Sequence, residues 1–412
     1  LDRPLDINWS KILRKGLTMF RFDHRYLIVF GACLTQFTVI GLLLSYGLFF
    51  KTFEAEFGWS RTLLSSGSSL AFLVMGCLAA FGGQVSDRYG PRLVLAFTGT
   101  MCGLGFILLS EMNQAWHLLV FFGLFIGAGM STHDVVTLST IARWFERRRG
   151  TMTGVVKVGT AAGQFTIPPI AAFLLITYGW RSAFMIMGLA AIVLLLVGAW
   201  TIGSSTGRAG TPDASVESGY SFGEARRTRI FWLFCAIEFL FLPSLATIPF
   251  HIVVHGMDLG MTAGVAAGLV STMAAASVLA RLVTGVFFDK VGGKGAIVMC
   301  LVPLLVSLLI LLVIDTPALL FLVMVVYGFA HGGLFTVMSP VVAEYFGLRS
   351  HGALFGSIIF FGTVSGSAAP VLAGYIFDTT GSYFIAFSIL TAMVSAGLFL
   401  TFLLPNVRPS KP

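Results

Sequence analysis

Gly83-Gln84-Val85-Ser86-Asp87-Arg88-Tyr89-Gly90 closes one long apolar stretch of this chain, and Gly285-Val286-Phe287-Phe288-Asp289-Lys290-Val291-Gly292 closes another. Glycine, aspartate, a basic residue and a second glycine recur in the same order and spacing, 202 residues apart. The same shift relates Gly150 to Gly352, Gly154 to Gly356, Pro168 to Pro370 and Gly179 to Gly381. One such pair would be coincidence. Several at a single shift indicate a duplicated half of about 200 residues.

Composition fixes the solvent. The chain is 57% hydrophobic and 11% charged, with a mean hydropathy of +0.91, more apolar than a water-soluble core requires. Twelve stretches reach spanning length: 26–50, 62–81, 93–110, 116–142, 151–176 and 182–202, then 230–254, 262–288, 295–314, 317–343, 352–375 and 383–404. The expected fold is an all-α membrane protein of twelve transmembrane helices in two pseudo-symmetric six-helix bundles. Its expected parts are an N-terminal segment (1–25), a first bundle (26–202), a polar linker (203–229), a second bundle (230–404) and a tail (405–412). With residues 1–25 placed in the cytoplasm, 21 of the 26 Lys and Arg fall on that side. Both termini are therefore expected in the cytoplasm, in a plasma or inner membrane. This asymmetry accounts for the net charge of +8 without a nucleic-acid partner.

The five cysteines, Cys33, Cys77, Cys102, Cys235 and Cys300, all lie in apolar spans without CxxC spacing, which disfavours disulfide and zinc roles. Residues 1–25 contain no apolar core of signal-peptide length. The basic segment Asn8–Lys15 reads either as a surface-seeking stretch on anionic lipid or as a plain basic tail. No nucleophile elbow, metal triad or phosphate loop is present, so neither an enzyme nor a cofactor is expected. A sensor built on such a scaffold would carry a signalling domain, and none is visible.

At the two acidic turns the chain resembles the major facilitator superfamily, whose signature there is Gly-x-x-x-Asp-Arg/Lys-x-Gly. The resemblance implies transport by alternating access, with the turn as a cytoplasmic latch. Asp87, Arg88, Asp289 and Lys290 are then gating candidates, because a carboxylate is favoured at the positive end of a neighbouring helix. Trp144-Phe145-Glu146-Arg147-Arg148-Arg149, leading into Gly154, Gly159 and Thr160, is similar to the fifth-helix signature of the monocarboxylate transporter family and its bacterial relatives. Met152, Val156 and Val158 replace that signature's alanines, and its first-helix signature survives only as Asp23 and Tyr26. Arg281 matches the family's eighth-helix arginine, which implies that it binds a substrate carboxylate. No lysine stands near Leu44 in the first helix, and Ser277 replaces the family's aspartate one turn before the arginine.

Charges within a bilayer are costly and usually functional. At 1.5 Å of rise per residue, Asp134 lies about 13 Å in, Lys157 about 10 Å, Glu238 about 12 Å and Arg281 about 10 Å. The depths predict an Asp134–Lys157 pair and, with Glu238 standing in for the missing acid, a Glu238–Arg281 pair in the absence of substrate. Glu238 would then take up a proton when a substrate carboxylate displaces it. A rival reading makes both pairs static staples. Arginine suits carboxylate capture through its bidentate fork. Lys157 either joins Arg281 in the cavity or snorkels. His133 and His331 read as proton carriers or donors, or as packed histidines. Phe335, Phe360 and Phe361 line an apolar pocket or face lipid. The expected substrate is a small organic anion, foremost a monocarboxylate such as lactate or pyruvate moved with protons. A dicarboxylate or oxalate/formate-type exchanger is the alternative; efflux of cationic drugs would want net buried acid. Glycines spaced by four (Gly150/Gly154, Gly159/Gly163, Gly352/Gly356, Gly362/Gly366) allow close helix approach, as static packing or as sliding surfaces.

Overall fold

A computed structural model describes residues 24–203, 219–314 and 316–407. Asp23, the Asn8–Lys15 stretch and most of the linker lie outside the described residues. The rest is helical. The first half comprises α1 (His24–Ser45), α2 (Arg61–Tyr89), α3 (Pro91–Ser110), α4 (Ala115–Trp144), α5 (149–178) and α6 (180–203). The second comprises α7 (Arg229–Asp258), α8 (Ala263–Val291), α9 (Gly293–Leu311), α10 (Pro317–Phe346), α11 (His351–Thr380) and α12 (Phe384–Phe402). These helices form the two six-helix bundles expected from the repeat.

Local chemistry sets several boundaries. Ser60 caps α2 by accepting from Leu63 N at 3.2 Å, and Thr228 caps α7 by accepting from Phe231 N at 3.2 Å, each satisfying an otherwise orphaned amide. Pro91 and Pro317 occupy the first turns of α3 and α10, where a missing N–H costs nothing. The linker's last residues form a short helix, Phe222–Ala225, closed by a reciprocal Ser221–Glu224 capping box. The Ser221 hydroxyl and amide hold the Glu224 carboxyl below its ordinary range.

The repeated acidic motifs are not turns that follow the helices. They form the last turns of α2 and α8, which project past the apolar core, so the spans 62–81 and 262–288 stopped short of the helix ends. The final glycine of each motif makes the corner: Gly90 has φ 88° and ψ 158°, Gly292 φ 90° and ψ 173°. That region is open in practice to glycine alone.

In the first bundle α1 packs on α5 and α6, and α3 packs on α6; in the second, α7 packs on α11 and α8 on α10. The halves meet through α2 against α11 and α5 against α8. One apolar core runs through both halves, and its first-half members include Ile28, Ala79, Val135, Ile141 and Ile202. These lie toward the end that carries Arg88, Arg143 and Arg147–Arg149, hereafter the basic face. A separate core, with Val39, Phe49, Phe106, Phe184 and Leu195, belongs to the first half alone and extends toward the opposite face. The halves are thus fastened together at the basic face. Phe81, Leu93, Phe97 and Phe165 are among many large apolar side chains left exposed, as expected where lipid is the solvent.

The glycines explain the close approach. A Cβ on Gly150 or Gly154 would strike the backbone of Gly285 or Arg281 on α8, and one on Gly352 or Gly356 would strike Gly83 or Ala79 on α2. One turn or two further on, Gly159 and Gly163 sit against Cys33 and Phe37 of α1, while Gly362 and Gly366 sit against Glu238 and Leu242 of α7. In both α5 and α11, therefore, the first glycine pair faces the opposite half and the second pair faces its own half.

Candidate functional site

The α4 segment, which covers the apolar span 116–142, is interrupted. A π-helical stretch spans Leu119–Ile126, and a turn at Ser131–Thr132 separates it from a new helix starting at His133. π-Bulges of this kind often mark functional sites. The interruption places Asp134 in the first turn of a helix that starts inside the apolar span, where free amides favour a carboxylate.

Around Asp134 the expected pair with Lys157 is present, the ammonium of α5 bonded to Oδ1. The same oxygen accepts from Gln36 Nε2 of α1 at 2.7 Å, and His133 Nε2 stands 3.7 Å away. Gln36 is fully buried. Its amide also reaches His133 O at 3.2 Å and Thr137 Oγ1 at 3.1 Å, while its carbonyl accepts from Thr160 Oγ1 at 3.0 Å. Sequence reasoning missed Gln36 because an uncharged side chain raises no alarm in a bilayer. A signal was available: the 202-residue shift superposes Gln36 on Glu238 and Thr160 on Gly362. The contact is repeated too, since Glu238 lies against Gly362. What the first half fills with a bonded amide and a hydroxyl, the second fills with a carboxyl and an empty Cβ position.

Arg281 is 2% exposed. Its Nε donates to Ser277 Oγ at 3.2 Å, and its Nη1 crosses between the halves to Lys157 O at 3.1 Å. Ser277, read from the sequence only as a missing aspartate, is thus the arginine's neutral anchor, pressed in turn against Gly332 of α10. The Glu238–Arg281 pair is not formed. Among the described residues no carboxylate makes an ion pair with Arg281, and Glu238, 5% exposed, has an Oε2 without a hydrogen-bond partner. His331 likewise has a buried Nδ1 without one.

Lys157 Nζ lies 5.8 Å from the centre of the Phe335 ring, within cation–π range. That ring lies 5.0 Å from His331, which lies 5.9 Å from Tyr327, whose hydroxyl donates to Ser244 O of α7 at 2.9 Å. Polar and aromatic side chains therefore run from α1 through α4, α5 and α10 to α7. His133 is bonded through Nδ1 to Met130 O at 2.6 Å. Phe360 is elsewhere: it stands with Phe361 and Trp232 in a groove near the basic face. No group of three or more His, Cys, Asp or Glu is placed to hold a metal among the described residues.

The gating candidates divide. Asp289 accepts from Gly150 N at 2.8 Å, Thr151 N at 2.9 Å and Thr151 Oγ1 at 2.6 Å, all at the start of α5. Asp87 accepts from Ala353 N at 3.1 Å, at the start of α11, and pairs with Arg143 of α4. Each carboxylate thus caps a helix of the opposite half. Arg88 and Lys290 are exposed and do not reach these carboxylates; Arg88 stacks on Tyr89 at 5.3 Å. The working cation is Arg143, which only the packing of α4 on α2 brings there.

Two bundles related by an internal repeat, latched to each other by end-of-helix carboxylates around buried cations, define a membrane transporter. The chain belongs to the Major Facilitator Superfamily, whose family model matches residues 26–278 and 258–412. That family is one of transporters and not of enzymes. The chain is similar to monocarboxylate transporter 13 of Bos taurus, 28% identical over 92% of this chain and 89% of that one. It is also similar to monocarboxylate transporter 11 of Homo sapiens, at 27% over 90% and 80%, and to an uncharacterized transporter, YhjX, of Escherichia coli (strain K12), at 24% over 83% and 86%. Among solved structures, the proton:xylose symporter XylE superposes with a TM-score of 0.70 at 14% identity, covering 93% of this chain and 96% of that one. The human organic anion transporter MFSD10 gives 0.68 at 15%, covering 92% and 98%. At these identities the structural likeness speaks for the fold alone.

Proposed function

We propose that this protein moves a small organic anion, foremost a monocarboxylate, together with a proton by alternating access. The observation that carries the reading is Arg281: a guanidinium buried at the seam between the halves, hydrogen-bonded to neutral partners, with no carboxylate bonded to it among the described residues. A buried cation without an anion is costly, and a substrate carboxylate supplies the missing charge through two parallel hydrogen bonds. The Lys157 carbonyl on Nη1 is the contact that a substrate carboxylate would replace.

Glu238 carries the proton in this reading. Its Oε2 is buried without a hydrogen-bond partner, which leaves that oxygen free to hold a proton. Asp134 is the poorer carrier, because Lys157 and Gln36 already occupy its Oδ1. His133 is engaged with the backbone, and His331 and Phe335 complete the wall of the site. The basic face is the cytoplasmic one, in a plasma or inner membrane. The latches of Asp87 and Asp289 then make this the conformation closed to the cytoplasm.

Uptake of a dicarboxylate, or oxalate/formate-type exchange, is the second reading, favoured by the adjacency of Lys157 and Arg281. Asp134 already neutralises Lys157, which leaves one net positive charge and tips the balance toward a single carboxylate. Thermal-shift titration of wild type and Arg281→Ala with lactate, pyruvate, oxalate and succinate tests the site: all anion responses should vanish in the variant, and their retention refutes it. Uptake under an imposed pH gradient tests the coupling. If Glu238→Gln still accumulates substrate against its gradient, the proton travels elsewhere.

A further inference from the structure

A groove of about 280 Å³ lies near the basic face where α2, α7 and α11 converge. Phe222, Phe231 and Trp232 form one wall, Phe360 and Phe361 another, and Ala80 of α2 closes it from the first half. It opens toward the bilayer, since Trp232 is 54% exposed and Phe81, next to Ala80, is 64% exposed. Arg226 borders the groove, and Arg227 and Arg229 follow it; all three are exposed. The Trp232 indole is held at this rim by donating to Arg226 O at 2.9 Å. Nothing in the transport reading uses these residues.

We infer that the groove holds an anionic phospholipid, with one acyl chain among the aromatic rings and the phosphate on the arginines. Charge and shape favour this occupant together. A trough of aromatic rings open to lipid takes a hydrocarbon chain, and three guanidiniums within four residues at headgroup level attract a phosphate. The neighbouring stretch of the chain does not suit the groove: residues 204–218 include no apolar side chain larger than Val216. The site also depends on conformation. Gly356 of α11 packs directly on Ala79 and Ala80, so parting the halves at the basic face removes one wall. An anionic lipid seated there therefore stabilises the state closed at that face.

Photolabelling of the full chain in nanodiscs tests this, with phosphatidylglycerol or phosphatidylcholine carrying the same diazirine-bearing acyl chain. The glycerol lipid should label peptides containing Trp232 and Phe360–Phe361 more strongly than the choline lipid does. Arg226→Gln should lower that labelling roughly five-fold, the effect of one basic side chain near an anionic surface. Ser357→Trp, which fills the groove and leaves the arginines, should abolish labelling there by both lipids. The first variant acts on charge and the second on shape, so either one decides if the other fails to fold. Equal labelling by the two lipids, labelling untouched by Ser357→Trp, or protection of the groove by a cross-link to residues 204–218 overturns the inference.

Discussion

Replacing Asp289 by asparagine should open the basic face, and by more than the matching change at Asp87. The reason is which bonds cross between the halves. Asp289, on α8, accepts three hydrogen bonds from Gly150 and Thr151 of α5, and all three break when the halves part. Asp87 accepts across the halves from Ala353 N, while its partner Arg143 belongs to its own half and stays with it. Hydrogen bonds to a charged group contribute about 1.5–3 kcal/mol each, and the helix end adds about 0.3–1 kcal/mol. Asparagine keeps one acceptor and loses the charge. About 2–3 kcal/mol of closed-state preference should therefore disappear at Asp289, a shift of roughly 30- to 150-fold. At Asp87 the loss should be about 1–2 kcal/mol, roughly 5- to 30-fold. Double electron–electron resonance between spin labels at Arg148→Cys and Lys290→Cys reads the population directly. It needs a background in which Cys33 and Cys77 are serine, since the other three cysteines are buried. An unchanged distance distribution in Asp289→Asn, or a larger change in Asp87→Asn, would refute the assignment of Asp289 as the stronger latch.

Other substitutions probe the same construction. Gly154→Val drives a side chain into the Arg281 backbone carbonyl and should cost the closed state about 1–3 kcal/mol, seen as a longer distance between the same labels. Gln36→Leu strips a hydrogen bond each from Asp134 and Thr160 at a fully buried site; a loss of about 1–3 kcal/mol should appear as a lower midpoint in fluorescence-monitored thermal unfolding. Lys157→Met leaves Asp134 without its cation and should destabilise by about 3–5 kcal/mol. Adding Asp134→Asn should recover a large part of that loss, and a strictly additive double variant would show that the pair is not coupled.

The sequence determined the architecture because bilayer and repeat both write themselves into one dimension. An apolar helix must be long enough to cross hydrocarbon, so its length is legible; a duplicated half keeps its glycines in register, so Gly90 and Gly292 appear as a spacing before they appear as a left-handed corner. Buried charge is equally loud, and similar depth on consecutive helices sufficed to pair Asp134 with Lys157. Depth does not fix the rotation of a helix about its axis. For that reason Glu238 and Arg281, matched in depth, are not joined, and Phe360 turns away from the cations toward lipid. Only tertiary packing chose Arg143 over Arg88 as the partner of Asp87, broke α4 just ahead of Asp134, and gave Gln36 its central place. Those outcomes depend on which faces of separate helices meet, a property of the folded molecule that no local stretch of sequence encodes.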